Sequence, residues 1–294
     1  MRVDRLERSN AAVADLLKSA CAFDRADVIS EEKLFGPAPG GAPSAFCARD
    51  GEHLVGVAAV AGKWLRLLAV APEARRHGAG AALLTACESA AKAAGETSLR
   101  TLDQPGNYLA PGIDERNVET IGWLERRGWQ RLGEPRVNVL IDVRGNPRVS
   151  AARAAELAEL AAVHGYEIRR ARRDETALLE AVRGEFGGAW PFELERALAF
   201  EPAGVHVAFN AGAYCAFAAH DGNNQGLGWF GPTGTWPAHR SQGLGEALLL
   251  ACLVDVAANH AQCEVAWIGP RPFYEKAAGI ARERRFVVLT RTLT

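Results

Sequence analysis

The strongest constraint on this chain is that it repeats itself. The stretch Val70-Ala71-Pro72-Glu73-Ala74-Arg75-Arg76-His77-Gly78-Ala79-Gly80-Ala81-Ala82-Leu83-Leu84 lines up with Thr235-Trp236-Pro237-Ala238-His239-Arg240-Ser241-Gln242-Gly243-Leu244-Gly245-Glu246-Ala247-Leu248-Leu249. Pro72 and Pro237, Arg75 and Arg240, Gly78 and Gly243, Gly80 and Gly245, and Ala82 and Ala247 are each 165 residues apart. A period this long means two copies of a domain rather than a solenoid of short units. The length of 294 residues permits it, since domains run roughly 100–200 residues. A second pair supports the duplication. Trp123–Trp129 resembles Phe273–Ile280, and both close on a glycine, Gly128 and Gly279, suited to the residue just past a helix end. This pair is 150 residues apart, so the first copy holds 15 extra residues between its two motifs. Leu102–Asn117, rich in Pro, Gly, Asp and Asn, is where they are expected.

Composition narrows the class. Hydrophobic residues make up 48% and charged residues 23%, ordinary for a globular core and too apolar for extensive disorder. The formal net charge is −1, which argues against a nucleic-acid binder that depends on neutralising phosphates. No run of about 18 uncharged apolar residues is present, so no membrane span is expected. Met1–Asn10 lacks the apolar stretch of a secretory signal. The six cysteines, Cys21, Cys47, Cys87, Cys215, Cys252 and Cys263, form no Cys-x-x-Cys pair. Free thiols in a reducing cytoplasm are expected, without disulfides or metal.

Periodicity gives matching elements in the two copies. In the first, a helix is expected over Ala11–Ala20 and strands over Ser44–Arg49, Leu54–Ala61 and Trp64–Val70, with Asp50-Gly51 as a hairpin turn. A helix over Ala79–Ala94, a strand over Ser98–Leu102, a helix over Val118–Arg127 and a closing strand over Val137–Val143 follow. Ser150–His164 reads as a solvated connecting helix. In the second copy strands are expected over Tyr166–Arg170, Val205–Asn210, Tyr214–Ala219, Leu227–Thr233, Cys263–Ile268 and Arg284–Leu293. Helices are expected over Glu175–Glu185, capped by Asp174, then Pro191–Phe200, Gly243–Asn259 and Pro272–Ala278. The expected domains are 1–145 and 165–294, joined by 146–164.

The repeated Arg-x-x-Gly-x-Gly lies between a strand and a long helix, and that placement has a chemical use. The glycines remove Cβ atoms and let an anion reach the backbone. The helix that starts there leaves its first N–H groups without partners and adds the positive end of its dipole. Together they make a site for phosphate or pyrophosphate.

Val-x-Pro-x-x-Arg-x-x-Gly-x-Gly followed by an apolar helix resembles motif A of the GNAT N-acetyltransferases, and Phe273-Tyr274-Glu275-Lys276 resembles their motif B. The resemblance covers nearly the whole chain as a tandem pair. It implies an α+β fold of two GNAT-like domains, each a mixed, mostly antiparallel sheet flanked by helices. It implies that the turn holds the pyrophosphate of acetyl-CoA, with the pantetheine arm between the splayed fourth and fifth strands of a copy. Carried onto this chain, the binding residues in the second copy would be Thr235, Trp236, Arg240, Ser241, Gln242, Gly243, Leu244, Gly245 and Glu246. In the first copy they would be Val70, Arg75, Arg76, His77, Gly78, Ala79, Gly80 and Ala81.

The family's motif B tyrosine protonates the departing thiolate, and Tyr274 matches it; a hydroxyl with a pKa near 10 holds its proton at neutral pH. Leu124 stands at that place in the first copy and cannot donate. The second copy is therefore the expected catalyst and the first a structural or regulatory half. Tyr108, in Asn107–Asp114, is assigned to the fold. No glutamate lies on either fourth strand. Glu185, Glu193, Glu195, His220 and Asp221 are base or amine-binding candidates, His239 is placed near the cofactor phosphates, and a water chain is the other route for the amine proton. Trp190, Phe192, Trp229, Phe230 and Trp236 either edge an acceptor cleft or pack the core. The expected reaction moves an acetyl group to a primary amine of a small molecule or peptide, by a monomer or homodimer. A non-catalytic acyl-CoA sensor is the alternative, as is an enzyme like mycothiol synthase, which shares the tandem architecture.

Overall fold

The turn signals and periodicities of the chain resolve, in a computed structural model that describes residues 1–293, into 15 strands and nine helices among the described residues. The first half runs β1 (Arg2–Arg5), α1 (Ala11–Ala20), α2 (Ser30–Phe35), β2 (Ser44–Asp50), β3 (His53–Ala61), β4 (Trp64–Val70), α3 (Ala79–Ala93), β5 (Ser98–Thr101), β6 (Ile113–Asp114), α4 (Val118–Glu125), β7 (Gln130–Arg131) and β8 (Arg136–Asp142). The second runs α5 (Ala151–Val163), β9 (Glu167–Arg170), α6 (Thr176–Glu185), α7 (Trp190–Leu198), β10 (Val205–Asn210), β11 (Ala213–His220), β12 (Trp229–Thr235), α8 (Leu244–Asn259), β13 (Gln262–Val265), α9 (Arg271–Ala277), β14 (Arg282–Val287) and β15 (Leu289–Thr292). Local chemistry explains the boundaries. Asn10 caps α1 by accepting from the Val13 N–H at 3.1 Å, and Gly51 takes the positive φ of 58° that the β2–β3 turn needs.

The chain forms two compact units, Met1–Val137 with the residues from Arg285 on, and Asn138–Arg284. In the first, the strand order is β1-β2-β3-β4-β5-β15-β7. Among the described residues only β4 and β5 are parallel in this sheet, with Trp64 opposite Arg100 and Leu65 opposite Thr101. In the second, β9, β10, β11, β12, β13 and β8 follow in order, with β14 beyond β8. There β12 and β13 are parallel, with Trp229 opposite Glu264 and Phe230 opposite Val265. A bulge interrupts β3–β4 at Ala59/Val60 and β11–β12 at Ala218/His220. The duplication read from side chains is thus a duplication of backbone. Leu83, Leu84 and Cys87 of α3 fill the first core, and Leu248, Leu249, Cys252 and Val256 of α8 fill the second.

The unit boundaries depart from the expected 145 and 165 because each half gives away its last strand. β8, expected to close the first sheet, pairs with β13 of the second unit, Cys263 opposite Ile141 and Val265 opposite Val139. The expected single strand Arg284–Leu293 breaks at Val288, and its end, β15, enters the first unit between β5 and β7. The Leu289 N–H donates to Thr101 Oγ1 at 3.0 Å, and Thr290 Oγ1 donates to the Leu99 carbonyl at 2.9 Å. The connecting helix α5 is not simply solvated, since Ala154, Leu157 and Ala161 pack on the second core. Nor does Asp174 cap α6; Glu175 stands at the cap position, and its carboxylate takes the Arg172 N–H at 2.8 Å. The extra residues Leu102–Asn117 are mostly buried.

Leu289 is 0% exposed in the first core. Leu289→Ala should therefore destabilise the first unit by about 2–5 kcal/mol. Urea unfolding followed by hydrogen exchange should place that loss in the amides of β5 and β7.

Candidate functional site

The two glycine turns have one backbone. After β4, Pro72–Ala74 makes a single helical turn, Arg75 is extended, Arg76 takes φ 66° and Gly78 φ 93°, and α3 begins. After β12, Pro237–His239 makes the same turn, Arg240 is extended, Ser241 takes φ 62° and Gly243 φ 77°, and α8 begins. Left-handed backbone is uncommon for residues with a side chain, yet both copies accept it at Arg76 and Ser241. The arginine before each is tied to the strand it follows: Arg75 Nε donates to the Val70 carbonyl at 3.4 Å and Arg240 Nε to the Thr235 carbonyl at 3.3 Å.

Alternating left- and right-handed residues turn successive N–H groups toward one concavity. Among the described residues, none of the backbone N–H groups from Arg76 to Ala81, or from Ser241 to Glu246, meets an acceptor in the chain. The first helical bonds come later, from Ala82 to the Gly78 carbonyl and from Ala247 to the Gly243 carbonyl. Gly78 and Gly243 serve the positive φ. Gly80 and Gly245 have ordinary φ, and a Cβ there would sit 3.5 Å from Trp123 and 3.6 Å from Phe273. The protein would tolerate those methyls, so the bare backbone serves what approaches from outside. The candidate binding residues thus form two separate turns, one in each unit.

In the first unit the turn opens into a cleft of about 910 Å³. β4 and β5 part after Leu65 and Thr101, and the cleft runs from that vertex to the turn. Arg75, Arg76, Arg126 and Arg127 line its mouth. Leu124 lies in its wall and offers no proton. Tyr108 is buried and is not part of the wall.

In the second unit, α9 sets Phe273 against Gly245 and Tyr274 beside Phe273, with ring centroids 5.0 Å apart. Tyr274 is 6% exposed. Burial pushes its hydroxyl up to about 12. Among the described residues the hydroxyl has no hydrogen-bond partner, and its oxygen is open to solvent. Glu246, an anion in the first turn of α8, is answered by Arg153 of α5 at 3.4 Å. His239 lies beside the turn with its Nδ1 3.1 Å from the Tyr166 hydroxyl.

The other candidates scatter. Trp229 and Phe230 are core residues. Trp190 and Trp236 pack with Phe186 at ring distances of 5.3 and 5.0 Å, and Phe192 lies under Arg196. Glu185 and Glu195 are exposed and Glu193 is buried. His220 and Asp221 are not beside the turn. His220 Nδ1 meets Asp221 at 2.9 Å and its Nε2 meets Asp255 at 3.3 Å. Asp255 also takes His206 Nε2 at 2.7 Å and Arg170 Nη2 at 2.7 Å. It stands in the last turns of α8, roughly 16 Å along the axis from the helix start. The signal for this network was a carboxylate in the apolar second half of an otherwise greasy helix.

The network has a definite pH signature. Burial alone would lower His220, but the hydrogen bonds and charges of Asp221 and Asp255 prevail and push it up to about 9. Burial alone would raise Asp255, but His206, His220 and Arg170 hold it well below the usual carboxylate range. The His220 contribution is full below its ordinary value of 6.5 and fades as pH rises through 9. The Asp255 contribution is full above its ordinary 3.8 and fades as pH falls through the native value. Urea midpoints of the second unit should therefore be highest between these ordinary values and fall from pH 6.5 to 9. Asp255→Asn should flatten that alkaline slope.

Comparison with known proteins places this geometry. The sequence model of a family described as "Acetyltransferase (GNAT) domain" matches residues 42–131. No curated protein matches the chain in sequence. The structure resembles a GCN5-related glucosamine N-acetyltransferase region in a fungal multi-domain GH3 beta-N-acetylglucosaminidase, with TM-score 0.75 and 15% identity over 99% of this chain; the chain spans 38% of that protein. It resembles a tandem GNAT protein from the clavulanic acid biosynthesis pathway with TM-score 0.69 and 20% identity, covering 100% of this chain and 98% of that one. A GCN5-related N-acetyltransferase from Sphaerobacter thermophilus gives TM-score 0.62 and 16% identity, covering 99% and 96%. Residues 42–131 thus match the GNAT acetyltransferase domain model, and the chain that carries them has the fold of the tandem GNAT proteins.

Proposed function

We propose that the chain is an acetyl-CoA-dependent N-acetyltransferase acting on a primary amine of a small molecule or peptide, with the second unit as catalyst and Tyr274 as general acid. The observation that carries this is Tyr274: its ring is buried beside the turn, its hydroxyl reaches solvent without a partner in the chain, and burial of the side chain holds its proton up to about pH 12. That open hydroxyl has its donor available for a bound sulfur.

The residues fit the co-substrate. Ser241 to Glu246 offer N–H groups to the diphosphate, Gly245 leaves the approach clear, and the α8 dipole adds a favourable field. Acetyl-CoA supplies an activated acetyl thioester whose sulfur departs. Tyr274 keeps a proton for that sulfur, and Phe273 fixes the distance between the acid and the turn. Trp229–Phe230 and the bulge that follows set where β12 leaves β13, and so where the thioester end stops. Arg153 keeps Glu246 from opposing the diphosphate. The incoming amine would lose its proton to water, since Glu246, the carboxylate at the turn, is paired with Arg153.

Two outcomes follow. Gly245→Ala should leave the fold intact and weaken CoA binding to the second unit by about tenfold or more, the scale of hydrogen bonds to a charged group; calorimetry alongside circular dichroism separates the two effects. Tyr274→Phe should lower kcat by about 10²–10⁴-fold with the acetyl-CoA Kd unchanged, measured as thiol release over an amine panel. Full turnover in that variant would remove Tyr274 from the chemistry.

A further inference from the structure

We infer that the second unit takes its acceptor amine on a flat aromatic body, held against a wall of Phe186, Trp190 and Trp236. This rests on the reading that the second unit transfers an acetyl group, and goes beyond it by naming the class of acceptor.

The repeat places that wall. α1 and α6 begin 165 residues apart and end 165 residues apart. Phe186 therefore stands where the first unit has Cys21, Ala189 where it has Asp24, Gly234 where it has Ala69 and Trp236 where it has Ala71. In the first unit Cys21, Asp24 and Ala69 line the cleft together with Thr101, Asp114, Glu119 and residues of α3. That cleft thus passes from the glycine turn, between the parted strands, to the α1 face of the sheet. The second sheet parts at the same place, beyond Phe230 and Val265. Its two faces carry separate cores, Phe230 with α8 on one and Phe217 with α6 and α7 on the other. Thr235 belongs to the α8 face, since its Oγ1 would lie 4.0 Å from a Cβ at position 245. Gly234 and Trp236, its neighbours along the strand, belong to the opposite face.

That opposite face is built from rings. Phe186 stacks on Trp190 with centroids 5.3 Å apart and meets Trp236 edge-on at 5.0 Å. Phe217 of β11 backs the group, 5.4 Å from Phe186. Two backbone choices hold the rings there. A Cβ at Gly234 would come within 2.9 Å of the Phe186 and Phe217 rings, so the strand is bare where they rest on it. Gly187 and Gly188 both take φ 62°, a left-handed pair that turns the chain back and sets Trp190 over Phe186.

The rings are placed like a core but are not covered like one. Phe217 is 0% exposed, whereas Phe186, Trp190 and Trp236 are half-buried. Among the described residues neither the Trp190 nor the Trp236 indole N–H has a partner, and both reach solvent. Aromatic rings attract one another by offset stacking and edge-to-face contact, beyond what their buried area supplies. An aromatic amine can make both contacts with this wall, and an aliphatic amine of equal bulk can make neither.

The test measures acetyl transfer from acetyl-CoA by the full chain to phenethylamine, 2-cyclohexylethylamine and butylamine. The expected kcat/KM for phenethylamine is about tenfold above the other two, the scale of one or two ring contacts. Trp190→Leu should bring that ratio down about tenfold. Trp190→Phe, which keeps a ring, should restore most of it. A packing role alone would lower all three amines alike. Equal kcat/KM for the three amines, or an unaltered ratio in Trp190→Leu, would overturn this inference and leave the acetyltransferase reading standing. Absence of turnover with every amine would overturn that reading instead, and titration of the CoA-bound chain then decides the inference. Quenching of tryptophan fluorescence by phenethylamine, weakened about tenfold in Trp190→Leu, would support it, and no quenching would overturn it. If Trp190→Leu does not fold, Phe186→Leu reads the same ratio.

Discussion

A run of backbone N–H groups with no carbonyl to meet them is the condition on which the rest of each unit depends. Most buried donors in a protein are paired, and helices leave their first few unpaired only at an end that something else can reach. Here the end is prepared over several residues. A strand stops, a single turn reverses the chain, an arginine ties the turn to the strand's last carbonyl, and two left-handed residues aim the donors at one point. The direction of the long helix, the parting of the parallel strands beside it and the placing of an aromatic ring over the second glycine all follow from keeping that point open. The whole device occurs twice, which makes it a constraint on the fold and not an accident of one loop.

What the two copies do with the same device differs by a few side chains. In the second unit a tyrosine faces the sheet beside the turn, and an acidic residue in the first helical turn is balanced by an arginine from the preceding helix. In the first unit a leucine takes the tyrosine's place, and arginines stand where the second copy has serine and alanine. In the proposed reaction the second turn has a proton donor beside it and the first has none. A change of one side chain is enough to set the copies apart, because the backbone of the turn is the same in both.

Much of this was legible from residues alone, and the reasons are local. Pro72 and Pro237, the arginines and the glycines prescribe turn geometry through φ preference and missing Cβ atoms, so the repeat and its helices were visible. The left-handed Arg76 and Ser241 were not, because nothing in an arginine or a serine announces positive φ. α2, six residues long, carries too little periodicity to register. His220 and Asp221 were drawn toward the site by chemistry alone. Their partner Asp255 lies 35 residues away from His220 in sequence, and only the fold brings it to them. The largest departure was the exchange of closing strands. Alternation says that Val137–Val143 is a strand, but it cannot say which sheet has the open edge that will receive it.

That exchange has a consequence for how the protein comes into being. Chains are made from the N-terminus, and domains commonly fold in that order during synthesis. Here the first unit needs Leu289–Thr292 between β5 and β7, and those residues follow the whole of the second unit in sequence. Until then its sheet has an unfilled slot and a hydrophobic core open at one side. The second unit, by contrast, already has β8 waiting when its own strands appear. The half translated first is therefore the half completed last, and the nascent chain must keep an open sheet edge from other partners until Leu289–Thr292 arrive.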